Sequence, residues 1–324
     1  MTNLLISTLA FRRPVLDDAA SVLELLIRRD VKEMGQPNSS LEDLQYDWNH
    51  MNLERDAWLA VAPEGELAGY AAVVPWQAAL RYHVCVDPSW HRAGQELGQD
   101  LLARCQARGA ELARDEACQP LARMYIAHVN AAERAMAEAA GFRRVQYLFQ
   151  MQIQMQAPPR PPEWPAGVKV RTVVPGQDDR AIHTLIEAAF DRPDRTPRPF
   201  EAWQESMMQP GLFQAELWFL AEADGELAGV CLCFAYPEMG WVEQLGVVKG
   251  QRQRGLGMAL LRHSFAEFWK REVGVVGLAA QAKNELAVGL YEAAGMKRIL
   301  QQDEYQQSIL PAIRGAGSRE NNPA

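Results

Sequence analysis

The segment 250–265, GQRQRGLGMALLRHSF, sets arginines and two closely spaced glycines directly before an apolar-striped run. By its composition the preceding stretch 242–248, VEQLGVV, is a buried strand, so the glycines lie at a strand-to-helix turn. The first N–H groups of a helix have no internal acceptor, and the helix dipole adds partial positive charge there. Gly255 and Gly257 let a ligand approach the backbone closely. The segment therefore predicts a binding site for a phosphate-bearing ligand.

Two common nucleotide loops are excluded by this spacing. The chain has no G-x-x-x-x-G-K-[ST] here, and no G-x-G-x-x-G followed by an acid about twenty residues on. What remains is R-x-x-G-x-G at 252–257, immediately after a strand.

A second motif follows at 284–296, NELAVGLYEAAGM. Asn284 is a good helix N-cap and Gly295 a good residue for the position after the helix, and the residues between them form an amphipathic helix. Capping and amphipathicity account for Asn284, Gly295 and the apolar residues of this helix, but not for Tyr291. That side chain either fills core with its hydroxyl on a backbone carbonyl or serves in chemistry.

Together the two motifs resemble those of the GNAT superfamily of N-acetyltransferases, R-x-x-G-x-G and N-x-x-A-x-x-L-Y-x-x-x-G-F, with Met296 where Phe is usual. In that family the loop amides hold the pyrophosphate of coenzyme A, and the preceding strand diverges from its neighbour so that pantetheine pairs with its backbone. The resemblance implies acetyl-CoA as cofactor. It assigns cofactor binding to Leu245, Gly246, Val247, Arg252, Gln253, Arg254, Gly255, Leu256, Gly257, Met258, Asn284 and Tyr291.

Acetyl transfer from a thioester to an amine needs a deprotonated amine, a polarised carbonyl and a proton for the leaving thiolate. The resemblance places the Tyr291 hydroxyl beside the sulfur as the acid, and the N–H near Val247 at the carbonyl. Glu243, the acid on the strand entering the loop, is the candidate base. Relatives with a glutamate base commonly carry it two residues earlier, where this chain has Trp241, and a shift of two keeps the same face of a strand. Pairing of Glu243 with a surface arginine, or a base made of ordered water, are the alternatives.

The chain contains an internal repeat. AWLAVAPEGELAGY, at 57–70, reappears as LWFLAEADGELAGV, at 217–230, with Trp58 matched to Trp218 and with the GELAG turn in common. Both segments predict a hairpin. The two motifs above have weaker counterparts in the first half, so the chain is a duplicated domain.

The predicted domains are a degenerate first copy at 1–155, a proline-rich linker at 156–167, a catalytic second copy at 168–313 and a disordered tail at 314–324. Each copy alternates strand and helix signals, and the hairpins imply antiparallel neighbours. The predicted fold class is therefore α+β, a mixed sheet with helices, in two tandem GNAT-type acyl-CoA N-acyltransferase domains.

The first copy has lost parts of both motifs. With Gly98 aligned to Gly257, Glu96 falls where Gly255 stands, and a carboxylate there would repel a pyrophosphate. At the position of Tyr291 the first copy carries Ala137. The first copy is predicted to support the fold, to help shape the acceptor site or to bind coenzyme A without turnover.

Composition limits the remaining classes of function. The net charge is -8 and the pI is near 5.4, which argues against nucleic-acid or anionic-membrane partners. Five scattered cysteines have no zinc-site spacing, and no apolar run reaches membrane-spanning length. The sequence thus predicts a cytoplasmic, metal-free N-acetyltransferase acting on a small-molecule amine. A non-catalytic acyl-CoA sensor or scaffold, and a protein N-terminal or lysine acetyltransferase, are the alternatives.

Overall fold

The protein was analysed as a computed structural model that describes residues 8–76, 79–113, 121–190, 197–209, 211–237 and 239–309. The predicted tail at 314–324 lies outside these ranges. Within them, none of the helices combines the length and apolar character that crossing a bilayer requires.

The chain forms two compact units. Unit 1 comprises Met1–Val145 with Asp303–Ala324, and unit 2 comprises Gln146–Gln302. Each copy of the repeat supplies most of one unit. The two copies of the repeat therefore correspond approximately to the two compact units.

Unit 1 is built mainly from the first copy. Its strands are β1 (Ala10–Arg12), β2 (Ala57–Val61), β3 (Leu67–Trp76), β4 (Ala79–Val86) and β5 (Leu121–Ala127). Its helices are α1 (Ala19–Met34), α2 (Leu41–Asn49), α3 (Leu53–Asp56), α4 (His91–Leu112) and α5 (Ala131–Ala139).

Unit 2 repeats this order of elements. Its strands are β7 (Val168–Thr172), β8 (Trp218–Ala223), β9 (Glu226–Ala235), β10 (Gly240–Val247) and β11 (Val275–Gln281). The strand that ends the first copy is β6 (Arg143–Gln154), and the strand that ends the second copy is β12 (Lys297–Ser308). Its helices are α6 (Asp179–Ala189), α7 (Phe200–Met207), α8 (Leu256–Lys270) and α9 (Glu285–Ala293).

Both units contain a mixed sheet. The strand order is β1-β2-β3-β4-β5-β12 in unit 1 and β7-β8-β9-β10-β11-β6 in unit 2. The predicted GELAG hairpins are the antiparallel pairs β2–β3 and β8–β9. Only β4–β5 and β10–β11 are parallel among the strand pairs with a described register. The α+β prediction is confirmed.

The last strand of each copy contributes to the unit formed by the other copy. In β6, Met151 is buried in the core of unit 2, and the strand pairs with β11 from Leu148 to Gln154. In β12, Tyr305 is buried in the core of unit 1. The bounds of the compact units therefore differ from the predicted domain bounds within β6 and β12, after Val145 and after Gln302. Apolar side chains alone do not specify which of two similar sheets their strand will join. Residues 155–167 form neither helix nor strand, and their role as a linker stays a prediction.

Helices cover both faces of each sheet. In unit 1 one buried cluster lies under α4 and another under α1 and α2. In unit 2 the corresponding clusters lie under α8 and under α6 and α7. Strands β3 and β9 are thus buried on both faces over most of their length, which explains their nearly continuous apolar sequences.

The register corrects one detail of the repeat. In the first copy, Trp58 pairs with Ala71 on β3. The residue of β9 that matches Ala71 is Cys231, and Cys231 pairs with Phe219. The counterpart of Trp58 is therefore Phe219 and not Trp218. The turn of the first copy contains one more residue, and a slip of one residue turns a side chain to the opposite face of the sheet.

Candidate active site

Strands β10 and β11 run side by side for two residues and then diverge. Gly240 pairs with Val276 and Trp241 with Gly277, whereas β10 remains paired with β9 as far as Val247. Beyond Trp241, the N–H and C=O groups of β10 that point toward β11 have no strand ladder to join. The strand divergence expected from the resemblance is present, and it leaves a polar backbone edge for an extended ligand.

Glu243, the candidate base, is an extra residue in β10. The register with β9 skips it, since Val242 and Gln244 pair with consecutive β9 residues. Such a bulge interrupts side-chain alternation and redirects the local side chains. A spacing of two residues therefore does not by itself place Trp241 and Glu243 on the same face of this strand. The exposed Glu243 carboxylate accepts a hydrogen bond from the Trp241 indole, with Nε1 and Oε2 2.9 Å apart.

Gln244 is a site residue that the sequence analysis missed. Its Oε1 accepts a hydrogen bond at 3.1 Å from the indole Nε1 of Trp203, a fully buried residue of α7. Two residues on, a Cβ added at Gly246 would lie 3.0 Å from Leu185 of α6. Both contacts fix α6 and α7 on this face of β10. The available signal was a second polar residue, next to Glu243, in a strand of mostly apolar and small residues.

The loop after β10 presents a run of unused backbone amides. Gln253 and Gly255 both have left-handed backbone, with φ of 60° and 86°, and α8 begins at Leu256 without a side-chain cap. Within the described residues, the N–H groups of residues 254–258 have no hydrogen-bond acceptor, and the first helical bond runs from Ala259 to Gly255. Alternating left-handed residues with converging amides form an anion-binding concavity. The geometry suits the predicted pyrophosphate.

The two loop arginines make contacts within the protein. Arg252 donates from Nε to the carbonyl of Val247 at 3.0 Å and from Nη2 to the carbonyl of Ala189 at 3.1 Å. It thereby ties the loop to the end of β10 and to the last residue of α6. Arg254 donates to the Gln251 side chain. Arg252 thus shapes the loop, and its assignment to cofactor binding stays a prediction.

Helix α9 begins and ends as its sequence indicates. The Asn284 side chain caps it by accepting from the Ala287 amide at 3.2 Å. Gly295 has φ of 96°, and the Met296 amide returns to the Tyr291 carbonyl at 3.0 Å, as in a Schellman ending. These caps fix which residues of the helix face the sheet.

Gly257 determines how closely α8 and α9 approach. A Cβ added there would lie 3.1 Å from Cδ1 of Leu290, which is tighter than ordinary van der Waals contact. Gly255 has no neighbouring atom within 4 Å at the same position. The first of the two glycines is therefore required for its backbone conformation and the second for helix packing.

The Tyr291 side chain is buried in the core of unit 2. Its neighbours include Cys231, whose strand partner is Leu245 near the middle of β10. Burial raises the pKa of Tyr291 to about 12, so the hydroxyl is protonated at neutral pH. It makes no hydrogen bond to any residue in the described parts of the chain. A buried, protonated and unused hydroxyl is what a proton donor to a leaving group requires.

Comparison with known proteins identifies the family. A mycothiol acetyltransferase of Cellulomonas flavigena is 32% identical over 258 residues, which are 75% of this chain and 72% of that protein. Another, from Streptomyces griseus, is 30% identical and covers 86% of this chain and 88% of its own length. The model of the Acetyltransferase (GNAT) family matches residues 180–296. This chain belongs to the GNAT acetyltransferase family.

Solved structures agree with this assignment. A GCN5-related N-acetyltransferase from Sphaerobacter thermophilus has a TM-score of 0.84 and 31% identity, and the match covers 95% of this chain and 98% of that one. A tandem GNAT protein from the clavulanic acid biosynthesis pathway shares the fold, with a TM-score of 0.70 and 17% identity. Its match covers 94% of this chain and 99% of that one. The chain is an acetyl-CoA-dependent N-acetyltransferase, and its tandem layout resembles that of mycothiol synthase.

The family match, from α6 to α9, lies within unit 2. In unit 1, the positions that correspond to the loop after β10 do not form such a loop. Strands β4 and β5 also diverge, after Arg81 and Arg123. Helix α4, however, already begins at His91, and no residue from 66 to 140 in the described ranges has positive φ. The amides that would form a GNAT loop are taken up by helical hydrogen bonds. Glu96 is an exposed helix residue there.

A charged cluster surrounds the N-cap of the second motif in unit 1. The Asn130 side chain donates to the carboxylates of Glu33 and Glu133, at 2.7 and 2.9 Å. Burial raises the pKa of both acids, to about 8 for Glu133, against the opposing charge of Arg29. In unit 2 the small Ala287 holds the place of Glu133. The described residues contain no group of three or more His, Cys, Asp or Glu side chains placed to hold a metal ion.

Proposed function

We propose that unit 2 alone binds acetyl-CoA and transfers its acetyl group to the primary amine of a small molecule by direct attack in a ternary complex. The Tyr291 hydroxyl carries this proposal, because it is buried near Cys231 of β9 and makes no hydrogen bond to a described residue. It coincides with the loop of free amides in the same unit.

The chain offers a complete set of groups for the cofactor. Acetyl-CoA supplies an activated acetyl thioester when it is bound. The amides of residues 254–258 would hold its pyrophosphate, and the free edge of β10 from Leu245 to Val247 would pair with its pantetheine. The Nδ2 of Asn284, which donates to no described residue, and the side chain of Tyr291 complete the predicted set. Every one of these groups lies within unit 2.

Three roles follow for the residues of unit 2. Tyr291 donates the proton that the leaving thiolate needs, and its high pKa keeps that proton in place until then. A β10 amide near Val247 polarises the acetyl carbonyl. Glu243, exposed on its bulge and held by Trp241, accepts the amine proton directly or through water. The bulge supports this role because it presents the carboxylate outside the strand ladder.

The acceptor class is inferred from the relatives. Several of them are named mycothiol acetyltransferase, so the amine of a thiol-bearing amino-sugar conjugate is the first candidate acceptor. Such a small polar metabolite fits a cytoplasmic enzyme. A protein N-terminus or lysine is the competing acceptor.

The test is acetylation of an amine panel by the purified protein. It includes amino sugars, thiol-bearing amino-sugar conjugates, polyamines, aminoglycosides and short peptides, with acetylated product detected by mass. Product mass is preferred over a thiol reagent because a thiol-bearing acceptor would itself react with the reagent. We expect product from the thiol-bearing amino-sugar conjugates. Turnover of peptides alone would replace the small-molecule acceptor, and thiol release without any acetylated amine would remove the proposed transfer.

We further expect one acetyl-CoA bound per chain. Unit 1 lacks the amide loop, so calorimetric titration should give a stoichiometry of one. Glu96→Gly should not add a second site, because a glycine on the exposed face of α4 does not unwind the helix and costs it only about 1 kcal/mol. Two sites of comparable affinity in the wild type, or a second site gained with Glu96→Gly, would contradict the assignment to unit 2.

A further inference from the structure

Unit 1 contains a cavity lined mainly by arginines. It has a volume of about 340 Å³, and its walls come from the segment after β1 and from α3, β2 and α4. The lining residues are Arg13, Arg55, Trp58, Arg104, Ala107, Arg108 and Glu111. This volume is at the lower end of the range of small-molecule sites.

One arginine of the cavity is paired with two carboxylates. Arg108 donates from Nε to Asp56 and from Nη1 to Glu111, each at 2.7 Å. Asp56 and Arg108 are both buried. This pair forms the fixed wall of the cavity, and its charges are satisfied within the protein.

The other arginines retain unused donors. Arg13 uses only Nη1, toward the carbonyls of Arg55 and Ala57 at 3.1 and 2.8 Å. Arg104 uses only Nε, toward Asp100 at 3.0 Å. Their remaining guanidinium nitrogens make no hydrogen bond to any described residue.

The charges of the cavity are incompletely balanced. Its four guanidiniums are matched by three carboxylates, those of Asp56, Asp100 and Glu111. Burial and the neighbouring charges of Arg104 and Arg108 lower the pKa of Arg13. An anion within the cavity would relieve this repulsion and use the free donors.

The second copy fills the corresponding place with aromatic rings. With the same alignment of helix glycines, the counterpart of Arg104 is His263, whose ring lies 4.7 Å from that of Phe219, the counterpart of Trp58. The Trp164 ring also packs against His263, with ring centroids 5.6 Å apart. The arginine cavity is therefore not a requirement of the shared fold.

We propose that this cavity is a binding site for a small oxyanion, a phosphate or a carboxylate, held by the free N–H groups of Arg13 and Arg104. Arg55, largely exposed at the rim and 3.7 Å from the Glu111 carboxylate, adds a further positive charge. Guanidinium pairs with both kinds of oxyanion by two parallel hydrogen bonds.

The test is calorimetric titration of the full chain with inorganic phosphate and, separately, with acetate and succinate at constant ionic strength. All titrations use the Gly255→Glu background, so that the loop of unit 2 does not contribute. We expect Arg13→Gln and Arg104→Gln each to raise the Kd of the bound anion about tenfold or more, as loss of a charge-assisted hydrogen bond does. Arg28→Gln is the matched control, since Arg28 is a half-exposed arginine of unit 1 with a single ion pair, to Asp87.

Each outcome decides the proposal. Binding of phosphate alone assigns a phosphate ligand, and binding of the carboxylates alone assigns a carboxylate. Absence of binding, or equal affinity in the Arg104→Gln and Arg28→Gln proteins, overturns the site. Arg104→Gln carries the test if Arg13→Gln fails to fold, because the only hydrogen bond of the Arg104 side chain to described residues is to Asp100 on the helix surface.

Discussion

Replacing Tyr291 with phenylalanine is expected to lower kcat by about 10² to 10⁴-fold, the range for loss of a general acid. The acetyl-CoA Kd should change by less than about threefold, because the ring and its packing remain. The thermal midpoint should not fall, since the hydroxyl has no hydrogen bond to lose among the described residues and its burial carries a desolvation cost. Steady-state kinetics, calorimetry and thermal unfolding give the three values.

Tyr147→Phe is the matched control, because Tyr147 lies in the same unit but is more than a third exposed. Its kcat should remain that of the wild type. A Tyr291→Phe enzyme with unchanged kcat would exclude the hydroxyl as the acid. With a pKa of about 12, Tyr291 also keeps its proton below about pH 11. Any alkaline loss of kcat below that pH must therefore come from another group, and such a limb should persist in Tyr291→Phe.

Gly255→Glu is expected to raise the acetyl-CoA Kd by at least about 100-fold. A side chain at φ of 86° is strained by about 1 to 2 kcal/mol, and a carboxylate about 4 Å from a phosphate costs up to about 4 kcal/mol at intermediate dielectric. Gly255→Ala separates the two effects, since it brings strain without charge. We expect about a tenfold loss of affinity with alanine, measured by calorimetry.

Gly250→Glu tests whether charge alone explains the loss. Gly250 lies in the same loop, does not have positive φ and has open space around it, but it lies before the run of free amides. Its replacement should raise the Kd less than tenfold. Equal losses at positions 250 and 255 would mean that the loop repels the ligand only through its general field, and the amide cradle would no longer be the main site.

The sequence predicted the local elements of the site well. The caps at Asn284 and Gly295, the strand-to-helix turn at Gly255 and the mixed sheet are all present. These features depend on interactions between residues close in sequence, or on conformations that only glycine adopts readily. The loss of the loop in the first copy was also visible, although its form was not. Its residues continue the helix rather than presenting Glu96 to a ligand.

The sequence did not predict strand register or contacts between residues distant in the chain. The bulge at Glu243 leaves no mark in VEQLGVV, because apolar and small residues stand on both faces of the strand and either register buries them. The slip of Trp58 against Phe219 has the same cause. The hydrogen bond between Gln244 and Trp203 joins residues about forty positions apart, and no local pattern indicates such a partner.

The sequence by itself determined the family, the duplication and the place of the two motifs, because each is encoded in short runs of residues whose conformations are set by their neighbours. Only the tertiary structure decided that the last strands complete the opposite units and that Arg252 braces the loop. It decided that the Tyr291 hydroxyl is buried with no hydrogen-bond partner among the described residues. It also decided that four arginines of unit 1 line one cavity. Those outcomes depend on which surfaces, distant in sequence, come into contact in the folded chain. The hydrophobic effect has no directional preference, so an apolar sequence does not specify its packing partner.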